Sequence, residues 1–401
     1  MSQERKPRIL FLGLLYPMEE EERILEMTLQ HPSNAPNVFQ WNLIRGMEQA
    51  LGSRMEIMNV LPVGTWPKAC KRFTLPDRTW PNGDALCHEV GCINLPFLKQ
   101  GMRAARAARL LKKLLRPGDQ VVLYSAYMPF LKALARLPRT ITVHVIIPDL
   151  PEFYDLGATS ALRKCLRKLQ NRMVYRCMKR IDRFVLLTEH MHEPLKVGDR
   201  PWMLLEGICS VQPPAPVQEE TERAILYAGT LHRQFGIQNL LNAFAMLPDP
   251  DAQLWLCGSG DAEGDIRILC EKDPRVTFFG FVSLEEVARL RSRAAVLVNP
   301  RTGEGEYTKY SFPSKTMEYM ASGKPVVMYR LAGIPAEYDP FLYYVPEDTP
   351  ESLCRTLSYV LSHPEDAAQV ASRAQAYVLE NKTPAIQGQR LVDFITGRNG
   401  D

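Results

Sequence analysis

Short apolar runs alternate with helical stretches along the whole chain, stop once at a proline-rich break, and then begin again. Strands alternating with amphipathic helices bury both faces of a parallel sheet, so this rhythm points to α/β architecture. In the first half the spacing predicts strands at 8–14, 55–61, 120–124, 140–147 and 183–187, with helices at 39–51, 99–115 and 161–180. In the second half it predicts strands at 224–228, 253–257, 276–279, 295–299, 325–329 and 343–345, with helices at 237–245, 262–271, 284–291, 314–321 and 350–361. The break, ICSVQPPAPVQEE, reads as a linker over 208–220 between a domain at 1–207 and one at 221–383. The last helix, about 384–401, is expected to pack back on the first domain. The expected fold class is α/β: two Rossmann-like doubly wound domains facing a central cleft, with ligands beyond the carboxyl ends of the strands.

A chain of 401 residues suits two domains better than one. It has no apolar run of the length a membrane span needs, and the opening MSQERKPRILFLGLLYP reads as a first strand rather than a signal peptide. Nine scattered cysteines suit a reduced, cytoplasmic protein. Cys70, Cys87, His88 and Cys92 match no standard zinc spacing, so neither metal nor cofactor is expected. The net charge is +4, but its distribution is uneven. Residues 98–116 hold Lys99, Arg103, Arg106, Arg109, Lys112, Lys113 and Arg116 without an acid, and 161–180 hold eight cations, again without an acid. These give the first half a basic face.

The most informative segment is 299–328, NPRTGEGEYTKYSFPSKTMEYMASGKPVVM. Pro313 suits the first turn of a helix, and Gly323 and Pro325 end it. Ser314 and Lys315 lie within one turn of Glu318 and share its face. A helix N-terminus offers free N–H groups and a positive dipole end to phosphate. Lys315 adds charge where the dipole disfavours it, which suggests a bound anion, and Glu318 can accept hydrogen bonds from two ribose hydroxyls. Spacing alone also allows an ordinary αβ unit with a solvated Lys and Glu. Gly229, Gly258 and Gly260 follow strand ends, where a missing side chain lets backbone approach a phosphate or sugar. Gly280-Phe281-Val282 either presents backbone groups to the edge of a nucleobase, or Phe281 packs in the core.

The run SFPSKTMEYMASGKPVV resembles the signature of the retaining family 4 glycosyltransferases, of GT-B fold, and most resembles bacterial members that assemble exopolysaccharide and cell-surface glycans. YAGTLHRQFGIQNLLNAF at 227–244, LWLCGSGD at 254–261 and VTFFGFVSLEEV at 276–287 resemble the family's donor-domain segments in the same order. The resemblance makes Glu318 the second, ribose-binding Glu of a Glu-x7-Glu motif; Tyr310 stands where the first, sugar-contacting Glu belongs. Gly229-Thr230 and Phe235-Gly236 replace the family's Gly-Arg and Lys-Gly, which leaves Arg233 as the substitute phosphate cation, with Lys315 and Arg301 as helpers.

In the first half, HPSNAPNVFQWNLIRGM at 31–47 occupies the place of the family's loop facing donor phosphates and acceptor. Asn34, Asn37, Gln40 and Asn42 are candidates there, with helix capping as the alternative. HVIIPDLPEFYDL at 144–156 resembles an Ile-x-Asp-Leu-Pro-Glu pattern of bacterial members, which makes Asp149 the polar group beside the reacting carbon and Glu152 the second choice. His144, in mid-strand, reads as a satisfied core residue. Thr188 and Glu206 are expected at the cleft or hinge.

The resemblance implies a metal-independent reaction with retention, in which Lys315, Arg233 and the helix N-terminus stabilise the leaving nucleoside diphosphate. Asp249-Pro250-Asp251 has the form of an Asp-x-Asp motif but falls in a turn. The basic, leucine-interleaved stretch 161–180 suggests anionic lipid at the inner face of the cell membrane and a lipid-diphosphate-linked glycan acceptor. No nucleic-acid recognition motif accompanies the cations. Two alternatives remain at this point: a nucleotide-sugar 2-epimerase of the same fold, and a donor-binding or partner protein that has lost catalysis.

Overall fold

A computed structural model of the chain describes residues 8–29, 35–153, 161–209 and 221–398, and of 161–164 the backbone alone. Asn34 and residues 210–220 of the expected linker lie outside the described residues. The chain divides into two compact units, Met1–Ile208 with Pro384–Asp401, and Cys209–Thr383.

The strands of the first unit are β1 (Ile9–Gly13), β2 (Glu56–Asn59), β3 (Thr74–Leu75), β4 (Arg78–Asn82), β5 (Ala85–Glu89), β6 (Cys92–Ile93), β7 (Gln120–Tyr124), β8 (Thr142–Ile147), β9 (Arg183–Leu186) and β10 (Trp202–Leu204). Eight of them form a sheet in the order β10-β9-β8-β7-β1-β2-β5-β4, and β3 pairs with β6. Neighbours in the large sheet are parallel except β4 with β5. Its central strands are buried on both faces, which their Val/Ile/Leu runs require. The helices are α1 (Glu21–Met27), α2 (Ala35–Leu51), α3 (Leu98–Leu114), α4 (Met128–Leu134), α5 (Ala161–Met178) and, from the far end of the chain, α12 (Pro384–Thr396). α12 and α2 share one hydrophobic cluster, with Leu43, Ile44 and Met47 against Leu391, Val392 and Ile395. Their backbones touch where Gly46 meets Gly388: a Cβ on Gly388 would stand 2.0 Å from the Gly46 carbonyl carbon.

The second unit holds β11 (Glu222–Ala228), β12 (Gln253–Cys257), β13 (Val276–Gly280), β14 (Ala294–Asn299), β15 (Val326–Tyr329) and β16 (Tyr343–Val345). They form an all-parallel sheet in the order β13-β12-β11-β14-β15-β16. Helices α6 (Ile237–Ala245), α7 (Glu263–Lys272) and α10 (Pro350–Ser362) contribute to the apolar cluster around Leu240, Phe244, Ile266 and Leu357. Helices α8 (Leu284–Arg293), α9 (Ser314–Ala321) and α11 (Pro364–Asn381) contribute to a second cluster around Leu290, Met317, Met320 and Val378. Strand order reverses at β11, whose neighbours are β12 and β14. Loops leaving the carboxyl ends of these two neighbours run to opposite sides of the sheet, opening a crevice there.

Several elements exceed the sequence expectations. The β3–β6 region reads as loop because Pro76, Pro81, Gly83 and Gly91 break its pattern, yet β4 forms the sheet edge, where the missing N–H of Pro81 is tolerated. α1, α4 and β10 are short, and α11 presents mostly alanine to the core.

Candidate functional site

The crevice of the second unit is assembled from the ends of β11 and β14 and the start of α9. Pro313 is the N-cap of α9 rather than a residue of its first turn, and no side chain caps the helix. Ser314, the first helical residue, is exposed, so its end of the helix offers N–H groups to solvent. Thr316, Met317, Tyr319 and Met320 are buried, which leaves Ser314, Lys315 and Glu318 on the outer face. The Tyr319 hydroxyl accepts from the Ala228 N–H at 3.1 Å and lies 3.4 Å from the Ala228 carbonyl, pinning α9 to the end of β11.

Lys315 reaches across that end. Its ammonium lies 5.2 Å from the ring centroid of Tyr227 and occupies the space beside Gly229, where a Cβ would stand 1.8 Å from Nζ. Gly229 is therefore needed for the lysine, and its φ of +154° suits glycine. Protein mass around the ammonium lowers the pKa of Lys315; Glu318 opposes that shift and Arg301 adds to it. Glu318 stands exposed on the outer face, and desolvation by the protein around its carboxyl raises its pKa against the attraction of Arg291 and Lys315. Among the described residues neither the ammonium nor the carboxylate has an ion-pair or hydrogen-bond partner. Two partly desolvated charges, one of each sign, thus remain available to a ligand.

Gly258 and Gly260 serve the loops themselves. A Cβ on Gly258 would stand 1.8 Å from the Gly229 carbonyl oxygen, and one on Gly260 would stand 2.2 Å from that of Leu231. The space their missing side chains leave is filled by neighbouring backbone, so close packing of the loops already requires glycine at both positions.

Arg233 does not join Lys315. Its guanidinium is paired with Asp265 of α7 at 2.6 Å, and its backbone N–H donates to Asp261 at 2.8 Å. The acid 32 residues further on, invisible in the local motif, claims it. Arg301 is the cation whose field Lys315 feels. It donates to Ser311 Oγ at 3.1 Å and lies over the rings of Tyr307 and Phe235 at 4.9 and 5.6 Å. Its Nε is buried without a partner. Tyr310 sits on a short helical turn, its hydroxyl 3.4 Å from Glu306 Oε1. Phe281 is 83% exposed, so it is not a core residue.

In the first unit the amides chosen as acceptor contacts turn inward. Asn37 accepts from the Tyr16 N–H at 3.0 Å, and Gln40 accepts from the Leu14 N–H at 2.8 Å while donating to the carbonyls of Leu14 and Pro36 at 2.9 Å. Both are buried and hold the loop after β1; neither is offered to an acceptor. Asn42, Thr188 and Glu206 are buried as well. Asp149 is exposed just past the carboxyl end of β8, and Glu152, on the next turn, accepts from the Tyr175 hydroxyl at 2.7 Å. His144 is half satisfied: Nε2 lies 3.0 Å from Gln120 Oε1, Nδ1 has no partner, and burial pushes its pKa down to about 3.

Sequence reasoning missed Tyr227, Tyr319 and Arg291. Tyr319 carried a signal: a tyrosine on the buried stripe of an amphipathic helix must find a partner for its hydroxyl.

Two doubly wound α/β units are the architecture of the GT-B glycosyltransferases. Residues 222–363 match the family described as glycosyl transferases group 1. Among solved structures the chain is similar to a sucrose-phosphate synthase from Thermosynechococcus elongatus, at 16% identity over 98% of this chain and 100% of that one, with a TM-score of 0.69. It is similar to the lipopolysaccharide outer core galactosyltransferase WaaB, at 13% identity over 98% and 99%, TM-score 0.63. It is also similar to Anabaena HepE in complex with UDP, at 14% identity over 97% and 100%, TM-score 0.62. No curated protein sequence matches it. Most of the second unit accordingly matches the group 1 glycosyltransferases, and the protein is a transferase of GT-B fold.

Proposed function

We propose that the protein is a retaining, metal-independent glycosyltransferase that moves a sugar from a nucleoside diphosphate sugar to a glycan or lipid-linked acceptor in surface polysaccharide synthesis. One observation carries the donor side: at the start of uncapped α9, a free ammonium and a free carboxylate share one face. A nucleoside diphosphate brings the complements of both, phosphate oxygens for Lys315 and the helix N–H groups, ribose hydroxyls for Glu318. In this reading Lys315 and Arg301 neutralise the charge that develops on the departing diphosphate. The acceptor hydroxyl attacks from the face the diphosphate leaves, a donor phosphate oxygen takes its proton, and the configuration is retained. Asp149 is the polar group beside the reacting carbon.

The exposed surface of α5 supports a membrane-bound acceptor. Leu166, Leu169 and Met173 are 52%, 55% and 38% exposed at helical spacing, with Lys168, Arg172 and Arg176 exposed around them. Each such cation is worth about 1 kcal/mol near an anionic bilayer.

The test is a nucleotide-sugar panel scored by thermal shift and by release of nucleoside diphosphate, with Glu318→Ala alongside. One donor should raise the melting temperature, and Glu318→Ala should abolish that rise and lower kcat/KM at least a hundredfold. Turnover and donor stabilisation untouched by the substitution would refute the reading.

A further inference from the structure

A second surface of the first unit has no role in the donor chemistry. The loops between β2 and β3 and between β6 and α3, with the first residue of α3, carry four large apolar side chains into solvent: Phe97 is 92% exposed, Leu98 51%, Phe73 46% and Trp66 36%. Backbone hydrogen bonds place the loops side by side. Trp66 N–H donates to the Asn94 carbonyl at 2.9 Å, and Asn94 N–H donates to that of Phe73 at 2.8 Å. The rings of Trp66 and Phe73 meet edge to face at 5.3 Å. Lys68, Lys71 and Arg72 are exposed on the same segment, and neither 61–75 nor 92–116 contains an acid.

This apolar tip is held rigid from beneath. Asn94, fully buried, donates to the carbonyls of Gly64 and Arg72, both at 3.1 Å. Lys99 and Arg103, read from sequence as part of a basic face, are instead buried. The Lys99 ammonium donates to the carbonyls of Val63 and Gly64 at 2.5 and 3.2 Å, and Arg103 donates to that of Leu61 at 3.0 Å. Phe97 itself has φ +68° and ψ −43°, a conformation that is an outlier for a bulky side chain. A strained backbone that presents a phenyl ring to water works against the stability of the free protein. A partner that takes up the ring offsets it.

We infer that this tip inserts into the interfacial layer of an anionic membrane, with Trp66, Phe73, Phe97 and Leu98 among the headgroups and upper acyl chains and Lys68, Lys71 and Arg72 on lipid phosphates. Aromatic rings beside acid-free lysine and arginine suit that zone, where one end is apolar and the other wet and negative. The tip and the start of α5 both lie past carboxyl ends of strands in the first unit's sheet. The inference deepens the membrane reading above but stands on different residues.

The test uses the full chain and vesicles of phosphatidylcholine with 30% phosphatidylglycerol. Lipids brominated near the headgroup should quench tryptophan emission of the wild type, and Trp66→Phe should remove most of that quenching. Phe97→Asp should lower vesicle partitioning at least tenfold, while donor stabilisation stays unchanged. Phe97→Gly, free to adopt the positive φ, should raise thermal stability yet weaken partitioning. Binding with Trp66 unquenched and Phe97→Asp without effect would overturn the inference and leave α5 as the lipid contact. Absence of any binding by the wild type would overturn both membrane assignments without touching the donor reading. A wild-type dimer that Phe97→Asp dissolves would assign the patch to a second copy of the chain and overturn the inference.

Discussion

Gly229→Ala puts the donor site to its most direct physical test. The added Cβ would stand 1.8 Å from Nζ and 2.1 Å from Cε of Lys315, where ordinary contact begins at 3.4 Å, so the ammonium must retreat by 3.4 − 1.8 = 1.6 Å or more. A charge drawn from about 3 Å to about 4.6 Å from a phosphate oxygen loses roughly 2 kcal/mol at an effective dielectric of about 20. That is about a thirtyfold fall in kcat/KM for the donor. Alanine at a φ of +154° also strains the loop by about 1–3 kcal/mol, read separately as a lower melting temperature. The assay is release of nucleoside diphosphate, repeated in the Lys315→Met background. If Gly229 matters because it makes room for the ammonium, the alanine adds less than about a twofold loss there, since coupled neighbours are non-additive. An equal loss in both backgrounds, or none in either, refutes the reasoning.

Two further outcomes follow from the buried polar groups. Tyr319→Phe removes the hydroxyl that meets the Ala228 N–H, leaving a buried donor unsatisfied at about 1–3 kcal/mol; denaturant unfolding should show this loss, together with a raised donor KM as α9 loosens on β11. Lys99 has its pKa lowered from 10.5 to about 8 by burial, so above pH 8 the unfolded chain holds more protons than the folded one and stability rises with pH. Relative to Lys99→Met, unfolding free energy should climb by about 1.6 kcal/mol from pH 8 to 9.5, and parallel curves for the two proteins would refute the assignment.

What could be read from sequence was whatever a single segment determines. The second unit's sheet and the five central strands β1, β2, β7, β8 and β9 of the first follow from strand rhythm, and the Lys315–Glu318 face follows from helical spacing, with the cap displaced by one residue to Pro313. What could not be read depends on the far side of a contact. Asn37 and Gln40 carry the same amides whether they meet a sugar or the backbone of Leu14 and Tyr16, and burial alone separates the cases. Pro81 hides β4, because a strand broken by proline is admissible only at an edge, and which strand is the edge is a property of the whole sheet. The inward turn of Lys99 and Arg103 did leave a trace. They fall on the i, i+4 ridge that continues through Ala107 and Leu111, so periodicity outranked charge in deciding which way α3 faces.

The same distinction orders the cations of the donor site. Arg233 and Lys315 lie near each end of the loop after β11, and a motif-based reading favours the arginine. Arg233 already has a carboxylate at 2.6 Å and is itself more than half exposed, so a phosphate would have to displace Asp265 and would gain only the difference between two similar screened pairs. Lys315 has lost part of its hydration and has no counter-charge in contact, so an incoming phosphate restores what folding removed. The gain on binding is therefore larger at the lysine, and larger still as the leaving diphosphate accumulates charge. An arginine that is satisfied at rest can steer or gate. The ammonium beside Gly229 is the group whose loss the chemistry should feel.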